Sequence, residues 1–432
     1  MTRRTVMAAA AASTAVSGAV LKPALLGGEP LRKQPFPAWP VLKTNDEAAW
    51  MQVLRSGKWY RGSGKAVDEF EARFVAALGA RHCLAVANGT AALITALHGL
   101  DVQAGDEVIV PPYTFIATVN AVLAKSALPV FVDSDARTFQ MDASKIEAAI
   151  TDRTVAVIPV HIAGAPPNLD KVLEVGRRRK LKILEDAAQA HLGEWRGRKL
   201  GTLGDAGTFS FQASKNLNSG EGGAVLSSDS DLIERCYAYH TNSSPRKGAR
   251  VTPAQGANLR LTEFQATLLM TQMERLEMQS KTRDGNAAYL TKLLGEIPGI
   301  TPAALEDGCT RSAWHLYMLR YDATEFNGLP RERFLKALAA EGVPCSSGYG
   351  PLNKQPFLEN VLNGRGYQRL FSADRLRHWR ERNECPVNDL LCKEGVWFTQ
   401  TMLLGAREDM EQIAAAISKI RAHAGELAKL SG

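Results

Sequence analysis

The sequence predicts an α/β fold, with a mostly parallel sheet in a large domain and a smaller C-terminal α/β domain. From about residue 80, short apolar runs alternate with helix-like stretches, which is typical of parallel strands joined by covering helices. After about residue 260 the pattern changes to a long helical run, followed by a second group of strands and helices. The length of 432 residues also fits two domains better than one core. We therefore expect a large domain at residues 29–275 and a small domain at residues 276–432.

The composition argues against several classes of protein. Hydrophobic residues make up 45% and charged residues 22%, as in a globular protein. No apolar run reaches the roughly 20 strongly hydrophobic residues of a stable membrane span. The net charge is +7, but no stripe of basic residues is interleaved with aromatic residues, so we expect no nucleic-acid partner. The 6 cysteines show no CxxC spacing and the 8 histidines no HExxH spacing, so we expect free thiols and no metal site.

Residues 1–28 resemble a signal peptide of the twin-arginine type. Arg3 and Arg4 precede an uncharged, alanine-rich stretch at residues 5–21, and residues 17–19 are small enough for a cleavage site. We expect export to the periplasm by this route. The alternative is a cytoplasmic protein whose first residues are not removed.

The expected strands of the large domain are short apolar runs at residues 83–87, 107–110, 129–132, 156–160, 182–184, 208–211 and 224–226. Helices are expected between several of them, at residues 89–99, 115–126, 142–151 and 169–179. A long helix at 262–278 leads into the small domain, where we expect a strand at 315–320 and helices at 330–341 and 409–424. Residues 362–384 are rich in glycine and arginine, and we expect an irregular surface loop there.

Lys215 is the first candidate catalytic residue. It stands in the segment FSFQASKNLNSGEGG, residues 209–223, where a strand leads into a turn with three glycines nearby. A bulky planar ligand can reach a lysine in such a place, and the amine can form a Schiff base if burial or a nearby cation lowers its pKa. On this segment alone, an ordinary surface lysine is the alternative.

Three further segments strengthen this interpretation. The run LKILEDAAQAH, residues 181–191, places Asp186 at the carboxyl edge of the sheet, and pyridoxal phosphate needs a carboxylate against its pyridine nitrogen. The segment HCLAVANGTAAL, residues 82–93, passes from a strand into a helix and predicts an anion site. The segment PPYTFIAT, residues 111–118, places Tyr113 and Phe115 where an aromatic face could cover the ring. Each segment alone has a structural explanation, but together on one sheet they predict a pyridoxal phosphate site.

These segments, together with GANLRLTEFQA at residues 256–266, resemble the DegT/DnrJ/StrS-type sugar aminotransferases. The resemblance covers about residues 25–420 and implies the aspartate aminotransferase fold, that is, PLP-dependent transferase fold type I. It implies an aminotransferase that uses pyridoxal 5'-phosphate to move an amino group from glutamate or glutamine to a keto-sugar or keto-cyclitol. It also implies a homodimer with shared active sites.

The resemblance assigns a role to each matching residue. Lys215 would bind the cofactor covalently and shuttle the proton, and Asp186 would pair with the pyridine nitrogen. The other cofactor contacts would be Gln189 at the ring hydroxyl, Phe115 over the ring, and Gly89, Thr90 and Ser210 at the phosphate. Asn258 would reach the phosphate of the neighbouring subunit's cofactor. The residues facing the substrates would be His191, His315 and Tyr349.

One departure from the family narrows the resemblance. Many members have histidine where Gln212 stands, and glutamine followed by a Ser-Lys pair is more similar to the branch that acts on cyclitol ketones or makes aminohydroxybenzoate. One alternative is therefore a PLP-dependent dehydratase or lyase of the same family, similar to aminohydroxybenzoate synthase, which also keeps the lysine. The other is a non-catalytic binding or sensor protein that retains the fold.

Overall fold

The computed structural model of the protein describes residues 21–251 and 255–430. The described strands, in chain order, are β1 (His82–Val86), β2 (Glu107–Val110), β3 (Leu128–Phe131), β4 (Thr154–Val157), β5 (Lys182–Asp186), β6 (Glu194–Trp195), β7 (Arg198–Lys199), β8 (Ala206–Ser210), β9 (Gly223–Ser227), β10 (Ile300–Pro302), β11 (Cys309–Arg311), β12 (Leu316–Tyr321) and β13 (Gly395–Thr399). Each apolar run expected to form a strand does so, within a few residues at its ends.

The described α-helices are α1 (Thr44–Ser56), α2 (Ala66–Leu78), α3 (Gly89–Gly99), α4 (Ile116–Ala124), α5 (Ile146–Ala149), α6 (Leu169–Arg179), α7 (Ser230–His240), α8 (Glu263–Leu294), α9 (Arg331–Ala340), α10 (Pro356–Leu362), α11 (Arg365–Leu370), α12 (Ala373–Arg382), α13 (Pro386–Glu394), α14 (Arg407–Ala422) and α15 (Ala424–Ala428). The helix expected at 142–151 is a short 3-10 turn, Ala143–Lys145, followed by α5. Helix α8 continues to Leu294, well beyond its expected end at residue 278.

The central sheet of the large domain has seven strands in the order β1-β9-β8-β5-β4-β2-β3. The pairs β2–β3, β2–β4, β4–β5 and β5–β8 are parallel, whereas β9 pairs antiparallel with β1 and β8. Strands β2, β3, β8 and β9 are buried along their whole length, as expected for a sheet covered by helices on both faces. The prediction of an α/β fold with a mostly parallel sheet is confirmed.

The small domain contains an antiparallel sheet in the order β10-β12-β13. Its core is a separate group of buried apolar residues that includes Leu319, Phe334 and Ile417. Helix α8 connects the two cores, because Leu269 packs in the large one and Leu290 in the small one. The expected boundary at residues 275/276 therefore falls inside one continuous helix, and it stays a prediction.

The expectation of an irregular loop at residues 362–384 is wrong, since α11 and α12 lie there. Their buried face packs on the core of the large domain and supplies hydrogen-bond partners to backbone groups of β3, the edge strand of the large sheet. Trp379 Nε1–H donates a hydrogen bond to Pro129 O at 2.6 Å, and Asn383 Oδ1 accepts one from Phe131 N–H at 2.7 Å. Covering one edge strand requires few apolar residues. The segment therefore has too few of them at helical spacing for its sequence to predict a helix.

The N-terminal segment is anchored on the small domain. The buried carboxylate of Glu341 accepts hydrogen bonds from Ala24 N–H at 2.8 Å and from Leu31 N–H at 2.9 Å, and it pairs with Lys419 Nζ at 2.9 Å. Residues 1–20, with the expected arginine pair and cleavage site, lie outside the described residues.

The described residues contain neither a candidate membrane span nor a candidate metal cluster. No described helix combines the length and the apolar character that a membrane crossing requires. Over the described ranges, no three His, Cys, Asp or Glu side chains are grouped closely enough to hold a metal ion. All six cysteines are described as free thiols.

Candidate active site

The carboxyl ends of β1, β2, β5 and β8 meet at a cavity of about 840 Å³. Strands that run parallel in an open sheet bring the segments that follow them to the same edge, which is where such folds bind ligands. The described cavity wall contains nine of the predicted site residues: Gly89, Thr90, Phe115, Asp186, Gln189, Ser210, Lys215, His315 and Tyr349. Segments that are far apart in the sequence thus form one site.

The first turn of α3 forms an anion cradle. Asn88 caps the helix, and its Oδ1 accepts a hydrogen bond from Ala91 N–H at 2.8 Å. A Cβ atom at Gly89 would lie 2.7 Å from Ser210 Cβ, so a glycine is needed where β8 passes the helix start. Free backbone N–H groups at a helix start attract anions. The turn, with Thr90 and Ser210 beside it, suits a phosphate group.

Asp186 ends β5 and is only 4% exposed. Its Oδ2 accepts a hydrogen bond from Thr118 Oγ1–H at 2.8 Å, and its Oδ1 accepts one from Ala188 N–H at 3.2 Å. Burial raises the pKa of Asp186, and the hydrogen bond from Thr118 opposes that rise. A carboxylate held in this way can pair with a protonated ring nitrogen that enters the cavity.

Glu185 lies next to Asp186 and is fully buried. Its carboxylate is surrounded by four partners within 2.9 Å, namely Nε2 of His161 and the backbone N–H groups of Gly201, Leu203 and Gly204. Burial alone would raise the pKa of Glu185, but the hydrogen bonds to His161 and the backbone outweigh it, and the pKa is lowered. These contacts fix the end of β5 and therefore the position of Asp186.

Lys215 stands on the loop that follows β8. Two pairs of backbone groups close this loop into a narrow hairpin: Phe211 N–H donates to Gly222 O at 2.7 Å, and Ala213 N–H donates to Gly220 O at 2.9 Å. Lys215 lines the cavity and remains partly exposed there. Burial lowers the pKa of Lys215 to about 8, and the charge of Asp186 opposes that shift. The amine is therefore a better nucleophile near neutral pH than a surface lysine.

Gln189 joins the large domain to the small one across the cavity. Its Oε1 accepts a hydrogen bond from Ala163 N–H at 2.7 Å, and its Nε2–H donates to Tyr349 Oη at 3.2 Å. Tyr349 in turn packs against Trp397, with ring centroids 4.5 Å apart. Phe115 lines the same cavity but is 57% exposed, so the described chain leaves this wall open.

His315 lines the cavity from the small-domain side and is held by the residue that follows the lysine. Its Nδ1 lies 3.2 Å from Asn216 Oδ1, while Asn216 Nδ2–H donates to Ala313 O at 2.7 Å. Burial holds the pKa of His315 well below its ordinary value. The imidazole is therefore neutral at physiological pH.

Two predicted residues do not line the cavity. His191 is buried behind the wall, with its ring 5.6 Å from the ring of Phe209 and 5.8 Å from that of Phe211. Burial lowers the pKa of His191 to about 3, and a hydrogen bond with the backbone of Ser210 opposes that shift. The turn after β5 carries the His191 side chain into the core, and its expected contact with a substrate stays a prediction. Asn258 is exposed and lies outside the cavity of its own chain.

Sequence reasoning missed Thr118, Asn216 and Trp397. Thr118 was inside the quoted segment PPYTFIAT, but its partner Asp186 is 68 residues away in the chain, so the contact had no local signal. Asn216 had the signal of following Lys215. Trp397 lies on β13 of the small domain and lines the cavity, and no motif marks it.

These residues fit pyridoxal 5'-phosphate. The cradle at Gly89 accepts the phosphate, the buried carboxylate of Asp186 suits the ring nitrogen, and the amine of Lys215 lines the same cavity. The fold and site together define a PLP-dependent transferase of fold type I. The chain belongs to the DegT/DnrJ/EryC1/StrS aminotransferase family, whose model matches residues 40–418, and it is an enzyme of the aminotransferase class.

Comparison with known proteins supports this assignment at the level of both sequence and structure. The chain is 38% identical over 424 residues to an L-glutamine:2-deoxy-scyllo-inosose aminotransferase of Streptoalloteichus tenebrarius, covering 94% of this chain and 98% of the relative. It is equally similar, at 38% over 424 residues, to an enzyme of the same name from Streptomyces fradiae, covering 94% and 99%. The crystal structure of 3-amino-5-hydroxybenzoic acid synthase superposes with a TM-score of 0.81 at 33% identity, covering 90% of this chain and 100% of that one.

Proposed function

We propose that this protein is an aminotransferase that moves the amino group of L-glutamine to a keto-cyclitol, using pyridoxal 5'-phosphate held by Lys215 and Asp186. The observation that carries the proposal is the single cavity where the Lys215 amine, the Asp186 carboxylate and the Gly89 cradle meet. The names of the relatives from Streptoalloteichus tenebrarius and Streptomyces fradiae supply the donor and the class of acceptor.

The charges of the cavity wall support an uncharged acceptor. Lys215 is the only lysine or arginine on the wall that the described chain provides, and it is engaged by the cofactor. A nucleotide-linked sugar would bring a diphosphate, which needs cationic side chains or further helix starts. Apart from the carboxylates of Asp186 and Glu221, the wall offers neutral polar groups, namely those of Gln189, Gln212, His315 and Tyr349. Such groups hydrogen-bond the hydroxyls of a polyol ring.

Pyridoxal phosphate, when bound, supplies an aldehyde that exchanges amino groups and a ring that stabilises negative charge at the substrate carbon. With the cofactor bound, Asp186 would pair with the protonated ring nitrogen, and Thr118 holds the Asp186 carboxylate in place. Lys215 Nζ would take the proton from the donor's Cα and deliver it to the carbon that the cofactor's aldehyde supplies. In the second half of the reaction the same amine would move the proton in the opposite direction.

The proposal is tested by turnover of L-glutamine and 2-deoxy-scyllo-inosose by the purified enzyme. We expect the aminated cyclitol to form in the wild type and no product to form in Lys215→Ala, which should also lose the absorbance of the lysine-bound cofactor. Full activity of Lys215→Ala would refute the mechanism. Absence of amination by the wild type, with L-glutamate as well as L-glutamine, would refute the proposed reaction.

A second function is favoured by the likeness to 3-amino-5-hydroxybenzoic acid synthase. A dehydratase or lyase of that kind would release water from its substrate without consuming an amino donor. Product formation by the PLP-loaded enzyme in the absence of any amino acid separates this reaction from amino transfer.

We also propose that the enzyme works as a homodimer in which Asn258 completes the neighbouring subunit's site. Asn258 is exposed and lies away from its own cavity, whereas Phe115 leaves that cavity open on one side. Trp50 and Trp59 are also exposed, and both pack on Phe264 in α8, the helix that follows Asn258 in the chain. A partner chain would cover both features.

The shared site is tested by mixing two inactive variants. Lys215→Ala lacks the amine, and Asn258→Ala lacks the residue donated to the partner. A mixed dimer has one site with both residues intact, so mixing and exchanging subunits should restore activity. No restoration, or sedimentation of the wild type as a monomer, would contradict the proposal.

We propose finally that residues 1–28 direct export by the twin-arginine route, with the cytoplasm as the alternative. The arginine pair at residues 3 and 4 and the small residues at 17–19 support a leader. The contacts of Ala24 and Leu31 with Glu341 favour cleavage before residue 24, since a later cut would remove part of the anchored segment. Cell fractionation tests the location of the protein, and the mass of the mature protein identifies the position of cleavage.

A further inference from the structure

Two side-chain amides beside the cavity have orientations that the backbone determines. Gln189 Oε1 faces Ala163 N–H at 2.7 Å, and Asn216 Nδ2 faces Ala313 O at 2.7 Å. A backbone N–H can only donate and a carbonyl can only accept, so neither amide can be turned around without losing its partner. The fixed orientations of the two amides therefore determine which group donates and which accepts in each further contact that they make.

The backbone partners of both amides belong to two segments that are hydrogen-bonded to each other. Ala313 N–H donates to Gly164 O at 2.9 Å, and His315 N–H donates to Ala163 O at 2.8 Å. These bonds tie the segment after β4, in the large domain, to the segment that precedes β12. Gln189 and Asn216 are 6% and 3% exposed, so water does not compete for their amides.

The first amide sets the direction of the Tyr349 hydroxyl. Since Gln189 Oε1 is occupied by Ala163, its Nε2–H must be the donor in the 3.2 Å contact with Tyr349 Oη. Tyr349 Oη then accepts, and its own hydrogen is left without a described acceptor. Burial raises the pKa of Tyr349 to about 12, so that hydrogen is present at any working pH. Tyr349 therefore offers a donor to the cavity that it lines.

The second amide sets the tautomer of His315. Because Asn216 Nδ2 is used by Ala313, its Oδ1 must accept in the 3.2 Å contact, and His315 Nδ1 carries the hydrogen. In a neutral imidazole the other nitrogen, Nε2, is then an acceptor. The described hydrogen bond of the ring uses Nδ1, and Nε2 has no partner among the described residues. His315 therefore offers an acceptor to the cavity.

We propose that Tyr349 Oη–H and His315 Nε2 form a specificity-determining donor and acceptor pair that binds two hydroxyl oxygens of a polyol ring. One hydroxyl accepts a hydrogen bond from Tyr349, and another donates one to His315. The inference rests on the proposed function for the identity of the ligand class, a polyhydroxylated cyclohexane. It goes beyond that function because it assigns a fixed polarity to each of the two residues.

The test measures binding and does not depend on turnover. The probe is scyllo-inositol, a ring polyol without a ketone, titrated calorimetrically into the PLP-loaded full-length enzyme. Tyr349→Phe removes the donor, and His315→Asn keeps a group at the position of Nδ1 for Asn216 but removes the acceptor at Nε2. Each lost hydrogen bond is worth about 1 kcal/mol, so each variant should weaken the Kd about fivefold to tenfold.

The matched control is Tyr321→Phe. Tyr321 is 2% exposed and its hydroxyl donates to Leu329 O at 2.8 Å, but it does not line the cavity. We expect the control to bind scyllo-inositol as the wild type does. We also expect His315→Gln, which can place an acceptor near the position of Nε2, to recover part of the affinity that His315→Asn loses.

Other results would overturn the inference. It fails if the wild type does not bind scyllo-inositol, if Tyr349→Phe and His315→Asn bind it normally, or if Tyr321→Phe is affected as strongly as they are. An enzyme that binds the polyol as expected but aminates no cyclitol would refute the proposed function and leave this inference standing.

Discussion

The lowered pKa of Lys215 predicts how cofactor uptake depends on pH. With a pKa of about 8, roughly one amine in ten is unprotonated at pH 7, compared with roughly one in three thousand for an ordinary lysine. Only the unprotonated amine attacks an aldehyde. The rate of covalent attachment of pyridoxal phosphate to the cofactor-free protein should therefore rise about tenfold per pH unit and level off near pH 8.

The charge of Asp186 raises the pKa of Lys215. In Asp186→Asn the attachment rate should therefore level off at a lower pH than in the wild type. Stopped-flow absorbance between pH 7 and 10 measures the attachment rate, and Lys215→Ala should show no attachment. A small-molecule lysine ester under the same conditions corrects for titration of the cofactor itself. The reasoning is refuted if the attachment rate levels off only near the pKa of an ordinary lysine. It is also refuted if the rate of Asp186→Asn levels off at a higher pH than that of the wild type.

Three further variants probe the cofactor site and its support. Gly89→Ala should weaken cofactor binding about tenfold or more, measured by titration of absorbance, because the new Cβ would lie 2.7 Å from Ser210 Cβ. Thr118→Val removes the hydrogen bond to Asp186 and should raise the Kd for pyridoxal phosphate about fivefold to tenfold, corresponding to about 1 kcal/mol. Glu185→Gln should lower the free energy of unfolding in urea by about 2 to 4 kcal/mol, because buried N–H groups lose an acceptor.

Each of these expectations has a control or a limit. Gly285 lies in α8 with nothing within 4 Å of a new Cβ, so Gly285→Ala should bind the cofactor normally. Normal cofactor binding by Gly89→Ala would contradict the assignment of the phosphate cradle, and the same result for Thr118→Val would contradict its support of Asp186. The folded-state pKa of Glu185 is lowered, so its stabilising effect is complete above the ordinary carboxyl pKa and is lost as the pH falls through the folded value. The destabilisation in Glu185→Gln should therefore shrink in acid.

The placement of Lys215 and Asp186 at one cavity and the fold class could be predicted from the sequence because their signals are local. Lys215 and Asp186 each follow a short apolar run, and a strand end carries its next residues to the edge of the sheet whatever lies around it. The glycine at position 89 was readable for the same reason, since a strand, a cap and a helix follow one another without interruption. Alternation of strands and helices then leaves few possible topologies.

Tertiary structure alone decided the features that depend on distant partners. The hydrogen bond of Thr118 to Asp186, the burial of His191 between two phenylalanines and the helices in place of the expected loop at 362–384 all follow from contacts across tens of residues or more. A sequence shows which side chains a strand can present, but packing decides which of its two faces meets the core and which meets the cavity. The polarity of Tyr349 and His315 is the clearest case, because it is set by backbone groups of residues 163 and 313, which only the folded chain brings together.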